Sequence, residues 1–200
     1  MLVAACLAQG IRPMCTLVAA DERIAAYKHP VPTRKALQRQ MLITLGAERG
    51  GLHVSLTRIV HLGEPDAALR RRILTLASIH ADMLAATRPS RSWSGVFDQI
   101  VQAYRRHGHA DAWRDHHQGG PAGYGCRDRI VTADTPGEVL PDTAVAWNPT
   151  LRGVKSEDTF LLTAGGWQPL TRTSRWPLIT LQRAGQTIQL ADWLVIPISS

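Results

Sequence analysis

Two hundred residues, 44% of them apolar and 20% charged, suffice for one domain with a packed core and exclude intrinsic disorder. Twenty-three basic against 16 acidic residues leave a net charge of +7, but the arginines are scattered from Arg12 to Arg183. Their one compact run, Arg70-Arg71-Arg72, lies in a helical pattern without interleaved aromatics and reads as a solvated helix face, so no nucleic-acid partner is expected.

Met1–Ala8 is apolar but lacks a charged leader, and Gln9, Gly10, Arg12 and Pro13 interrupt it, so it reads only weakly as a signal peptide. No apolar run approaches the ~18 residues of a membrane span, and no membrane partner is expected. Three cysteines, Cys6, Cys15 and Cys126, with no CxxC, argue against a disulfide framework and for a reducing, cytoplasmic compartment. Met14–Ala20 reads as a strand. His29-Pro30-Val31-Pro32 cannot be regular structure, because its prolines remove donors and fix φ. Met41–Leu45 and the alternating stretch Leu52–Val60 read as strands.

Gly63-Glu64-Pro65-Asp66 opens a helix whose apolar face, Leu69, Ile73, Leu76, Ile79, Met83 and Leu84, runs to about Thr87, before Pro89. Ser92 or Ser94 caps a second helix carrying Val96, Ile100, Val101 and Tyr104, which ends near Gly108. Residues 108–142 read as loops around short elements. Strand patterns follow at Ala144–Trp147, Thr159–Thr163, Ile179–Leu181 and Trp193–Ile198. Strands, then two helices, then strands predict an α+β fold with a mixed or antiparallel sheet, as one domain over residues 1–200.

Two segments carry chemistry. Four of the eight histidines fall between His107 and His117, and His117 runs into Gln118-Gly119-Gly120. Imidazole ligates metals and moves protons near neutral pH. The two glycines let the backbone pass close to a ligand or a second strand. On spacing alone a polar loop is the plainer reading. The second segment runs from Trp147-Asn148-Pro149 through a turn at Gly153 to Glu157-Asp158-Thr159. A hairpin there would set Asn148 and Glu157 side by side at the ends of neighbouring strands; a plain hairpin with a polar rim is the competing reading.

Taken in order, His29-Pro30, the strand at Met41–Leu45, Ser55-Leu56-Thr57-Arg58, two helices, His117-Gln-Gly-Gly, Asn148-Pro149 and Glu157-Asp-Thr resemble the pita-bread superfamily of methionine aminopeptidase, aminopeptidase P, prolidase and creatinase. The resemblance covers about residues 13–185 and implies a curved sheet with helices packed on its outer face. In that superfamily two metal ions are held by Asp, Asp, His, Glu and Glu. The matching positions here are Thr44, Ser55, His117, Asn148 and Glu157. His29 matches a histidine that contacts substrate, Tyr124 falls where a second active-site histidine is usual, and Arg127-Asp128 resembles an Arg-Glu pair.

Three of the five ligand positions are uncharged, and neutral side chains do not bridge two dications. The resemblance therefore implies a degenerate metal site with no stable dinuclear centre and no required cofactor. His117 and Glu157 would hold a single Mn, Zn or Co ion only weakly. As in creatinase, which hydrolyses a C–N bond without metal, the catalytic residues would be His117, Glu157 and His29, with Arg127, Tyr124 and Asn148 binding substrate. The expected substrate is a small peptide or amide-like compound, and a homodimer is compatible with the family. The competing expectation is an inactive descendant that binds a peptide or protein partner in the old cleft. The superfamily places helices before its first strand, so the chain reads as N-terminally short.

Overall fold

A computed structural model describes residues 1–198. The chain begins with a short helix, α1 (Leu2–Ala8), then β1 (Arg12–Ala20) and a single helical turn, α2 (Arg23–Ala26). After the proline-bearing connection come β2 (Gln40–Arg49) and β3 (Leu52–Leu62). They form a long antiparallel hairpin turned at Gly50 and Gly51, both at positive φ. α3 (Ala67–Ala86) starts at Asp66, whose carboxylate accepts from the Leu69 amide. α4 (Trp93–Arg106) starts at Ser92, whose hydroxyl accepts from the Gly95 amide. A 3-10 turn (Ala112–Asp115) leads to β4 (Gly119–Pro121).

The second half is strand-rich. β5 (Ala144–Trp147), β6 (Thr150–Leu151), β7 (Val154–Lys155), β8 (Asp158–Thr163), β9 (Gly166–Pro169), β10 (Leu178–Arg183), β11 (Gln186–Ala191) and β12 (Leu194–Ile196) follow in turn. One mixed sheet has the order β1-β2-β3-β12, with β12 parallel to β3; a second has the order β4-β5-β8-β9. The sheets meet where β3 passes β8. There the Ser55 amide donates to Thr159 Oγ1 (2.8 Å), Thr159 Oγ1 donates back to the Ser55 carbonyl (3.0 Å), and the Thr57 amide donates to the Glu157 carbonyl (2.9 Å).

α3 buries Ile73, Leu76, Ile79, Met83 and Leu84, and α4 buries Val96, Ile100 and Tyr104, in one core with Trp147, Phe160 and Leu190. Both helices bury the apolar stripes read from the sequence. Among the described residues no helix is long and apolar enough to cross a membrane.

The structure departs from the sequence expectations mainly at edges. β1, β2 and β3 are longer than their apolar runs, because backbone pairing continues through Arg12-Pro13 and Ala47–Arg49 after the alternation stops. α1 and β11 have no clear period, and β9 is too short to show one. The last strand is confined to Leu194–Ile196, where its parallel pairing with β3 ends.

Candidate active site

Strand period two determines which side chains meet. In the β2–β3 hairpin Thr44 faces Thr57 and Gly46 faces Ser55, which sets Thr44, Ser55 and Thr57 on one face. Gly46 leaves room there: a Cβ at this position would lie 2.8 Å from Cys126 Sγ. In the second sheet Trp147 pairs with Asp158, so Asn148 and Glu157 stand just past the last pair, at adjacent strand ends. The connection between them folds as the small β6–β7 hairpin, turned at Gly153 with φ +82.

The glycines after His117 serve strand packing. A Cβ on Gly119 would come within 2.1 Å of the Ala146 carbonyl oxygen, and one on Gly120 within 2.3 Å of that of Arg129. Only glycine lets this segment lie so close to β5 while carrying His117 to the site. Asn148 is tied to the same segment by its amide, which donates to the Gln118 carbonyl (3.0 Å).

These elements enclose a cavity of about 190 Å³ lined by His29, Thr44, Ser55, His117, Arg127, Asn148 and Glu157, together with Lys155 and two cysteines. Every position matched to the ligand set therefore faces one space. Tyr124 does not: it is 87% exposed and lies off the cavity wall. The Gly123 amide donates to the Gly125 carbonyl, a tight turn with Tyr124 at its tip.

Glu157 is the charge centre of the site. Its carboxylate accepts from Arg127 Nη2 (2.9 Å) and Thr57 Oγ1 (2.6 Å), and Lys155 Nζ lies 3.4 Å away. Thr57 spends its proton on Glu157, so in the 2.7 Å contact between the two threonines Thr44 is the donor. The side chains of Glu157, Arg127 and Lys155 are all less than a tenth exposed. Burial alone would raise the Glu157 pKa; Lys155 and Arg127 outweigh it and hold the group at about 2.

The same burial, reinforced by Arg127 and Lys155, draws His117 down to about 4, so at neutral pH it is an uncharged imidazole. His117 Nδ1 and Asn148 Oδ1 are buried without a hydrogen-bond partner. Cys15 is not a poised nucleophile: burial first, and Glu157 second, push its thiol pKa up.

Three contributors escape a reading of the sequence by motif. Lys155 stands two residues before Glu157, and extended backbone puts i and i+2 on one face, so spacing alone could have found it. Thr57 lies inside the Ser55-Leu56-Thr57-Arg58 tetrapeptide, in which Ser55 holds the matched ligand position. His116, stacked on His117 with ring centroids 4.3 Å apart, belongs to the histidine-rich stretch His107–His117, but no motif picks it out from its neighbours.

The sequence profile of metallopeptidase family M24 matches residues 4–164. Among solved structures, dipeptidase PepE from Mycobacterium ulcerans superposes with a TM-score of 0.76 at 17% identity, covering 98% of this chain and 51% of that one. The Xaa-Pro dipeptidase from Bacillus anthracis gives 0.74 at 16% identity, over 98% and 53%. The N-terminal domain of FACT complex subunit SPT16 from chickpea, Cicer arietinum, gives 0.67 at 11% identity, over 82% and 44%. These likenesses show the pita-bread fold. The chain spans about half the length of these solved relatives. No curated protein sequence matches it.

Proposed function

The chain belongs to metallopeptidase family M24, and from that premise we propose that its cleft hydrolyses a small peptide or other amide-like C–N bond without the dinuclear metal centre that the resemblance to the pita-bread peptidases implies. The observation that carries this reading is the environment of Glu157. A dinuclear site needs several carboxylates free to neutralise two dications. Here Thr44, Ser55 and Asn148 are neutral, and the one carboxylate is already bound by Arg127 and Lys155. Two protein cations hold the position that metal would need, and the donor set does not fit it.

The residues present supply a metal-free route. Neutral His117 takes a proton from a water that attacks the substrate carbonyl carbon. Negative charge developing on the carbonyl oxygen is stabilised by Arg127 and Lys155, which Glu157 holds in place. His117 then returns the proton to the leaving nitrogen as the C–N bond breaks. His29, at the mouth, and Asn148, whose Oδ1 has no partner, orient the substrate. Tyr124, out on its turn, takes no part.

A second reading, a cleft that binds a peptide or protein partner without turnover, is favoured by the full engagement of Glu157. The likeness to a domain named as a complex subunit supports it as well. Incubation of the protein with Xaa-Pro dipeptides and small guanidino and amide compounds, with and without Mn²⁺, separates the two. Hydrolysis that needs no added metal and falls at least ~100-fold in His117→Ala supports the first. Thermal stabilisation by a peptide with no product supports the second, and turnover that depends on two bound metal ions overturns both.

A further inference from the structure

We propose that His29, His116 and His117 form a binding site for one zinc-type divalent transition-metal ion, sharing only His117 with the five positions of the family's dinuclear set. One ligand nitrogen from each of the three lies within 4.8 Å of the others. Only His117 belongs to the five inherited positions. His116 comes from the end of the 3-10 turn, and His29 from the connection between α2 and β2.

The geometry of two of the ligands is already close to that of a filled site. His116 Nε2 and His29 Nε2 lie 3.1 Å apart. Two nitrogens about 2.0–2.1 Å from a tetrahedral zinc ion stand about 3.3 Å from each other. The protonation pattern also suits ligation. His116 Nδ1 lies 2.6 Å from the His117 carbonyl, which can only accept, so Nδ1 carries the proton and Nε2 presents its lone pair. A backbone carbonyl holding the far nitrogen of a ligating histidine is the usual outer support of such a ligand.

Without an ion, the contact between His29 and His116 is one N–H···N hydrogen bond. With one, His29 moves its proton to Nδ1 and both Nε2 atoms face the cation. His117 contributes the remaining ligand. One of its nitrogens, Nδ1, is buried and unpartnered, which leaves the imidazole free of any competing hydrogen bond at that atom.

Repulsion from Arg127 and Lys155 is reduced because both are paired with Glu157. The His117 ring stacks on those of His116 (4.3 Å between centroids) and His29 (6.2 Å), so it completes the site by a rotamer change; His29, exposed and outside regular structure, is free to adjust with it, and three protein ligands leave a fourth position open to water. Ion binding here is measured without turnover; because the ion occupies His117 and His29, which the hydrolytic reading uses as base and substrate contact, Zn²⁺ is expected to inhibit metal-free hydrolysis.

Metal-free protein is titrated with Zn²⁺ against a chromophoric chelator and, separately, with Co²⁺ while its visible absorption is followed. One ion per chain is expected, with the intense visible bands of a low-coordinate Co²⁺ complex. His29→Ala, His116→Ala and His117→Ala should each weaken binding by at least ~10-fold. His29→Ala changes an exposed side chain and keeps the fold, so the test stands even if His116→Ala is unstable. Failure to bind either ion, or unchanged affinity in His29→Ala, overturns the proposal. Binding lost in His117→Ala but retained in His29→Ala and His116→Ala would place the ion on the inherited set instead.

Discussion

Glu157 shows how one residue can redirect a whole site. Its partners Arg127 and Lys155 are buried with it, and their charges are tolerable only while the carboxylate is ionised. Glu157→Gln keeps the shape but strands two buried cations, and should cost about 3–5 kcal/mol of unfolding free energy in urea titrations. Thr57→Val removes one hydrogen bond to the same carboxylate and should cost only about 1–3 kcal/mol. Equal losses in the two variants would mean that the ion pairs contribute nothing beyond packing. Glu157 was legible in the sequence as a family position. Arg127 was legible as a family position too, and Lys155 by its i and i+2 spacing, but their pairing with Glu157 was not: Arg127 is thirty residues away in the chain and only the fold aims it at the carboxylate.

At the scale of elements, the short β4 strand is the critical piece, since it delivers His117 and holds β5. Gly119 has φ +102, and a Cβ there would overlap the Ala146 carbonyl. Gly108 has φ +79, and a Cβ there would meet nothing within 4 Å, so it isolates the conformational cost alone. Gly108→Ala should therefore cost about 1 kcal/mol, and Gly119→Ala about 3 kcal/mol or more, read as denaturant midpoints. Similar midpoints for the two variants would show that β4 can move away from β5 at little cost. The helices were the most legible elements, with Ser92 as the observed cap of the second. The edge strands β9 and β11 were least legible, since short edge pairing follows its neighbours and not its own apolar pattern.

Across the whole molecule, buried histidines make stability depend on pH. His80 is fully buried in α3, its Nδ1 2.8 Å from Ser156 Oγ and its Nε2 unpartnered. Burial draws its pKa down from 6.5 to about 3. A depressed histidine pKa means the unfolded chain binds the proton more tightly. Its contribution is thus complete above pH 6.5 and is lost progressively as pH falls toward 3. By pH ~4.5 this one group should remove on the order of 2–3 kcal/mol, taking about 1.4 kcal/mol per pH unit. Glu157 adds its own loss mainly below its ordinary value of 4.5, and Asp158, whose pKa burial raises, works in the opposite sense as pH falls, so it is the change of slope on removing His80 that reports this histidine. Unfolding free energies between pH 4.5 and 6.5 should slope upward with pH, and the slope should be shallower in His80→Asn. An unchanged slope in that variant would remove His80 from the account.

Residue type and order by themselves determined the helices, the main strands and the set of positions that converge on the cleft. Periodicity encodes which face of each element is buried, and the ordered motifs carry the fold. The loss of three carboxylates was visible in the same way, as Thr44, Ser55 and Asn148. What fills the space they left was decided only by the tertiary structure. Arg127, Lys155, His29 and His116 come from separate segments, and their distances to Glu157 and His117 depend on how two sheets and three loops pack. Electrostatic and ligand chemistry act over a few ångströms, and sequence separation does not report distances on that scale.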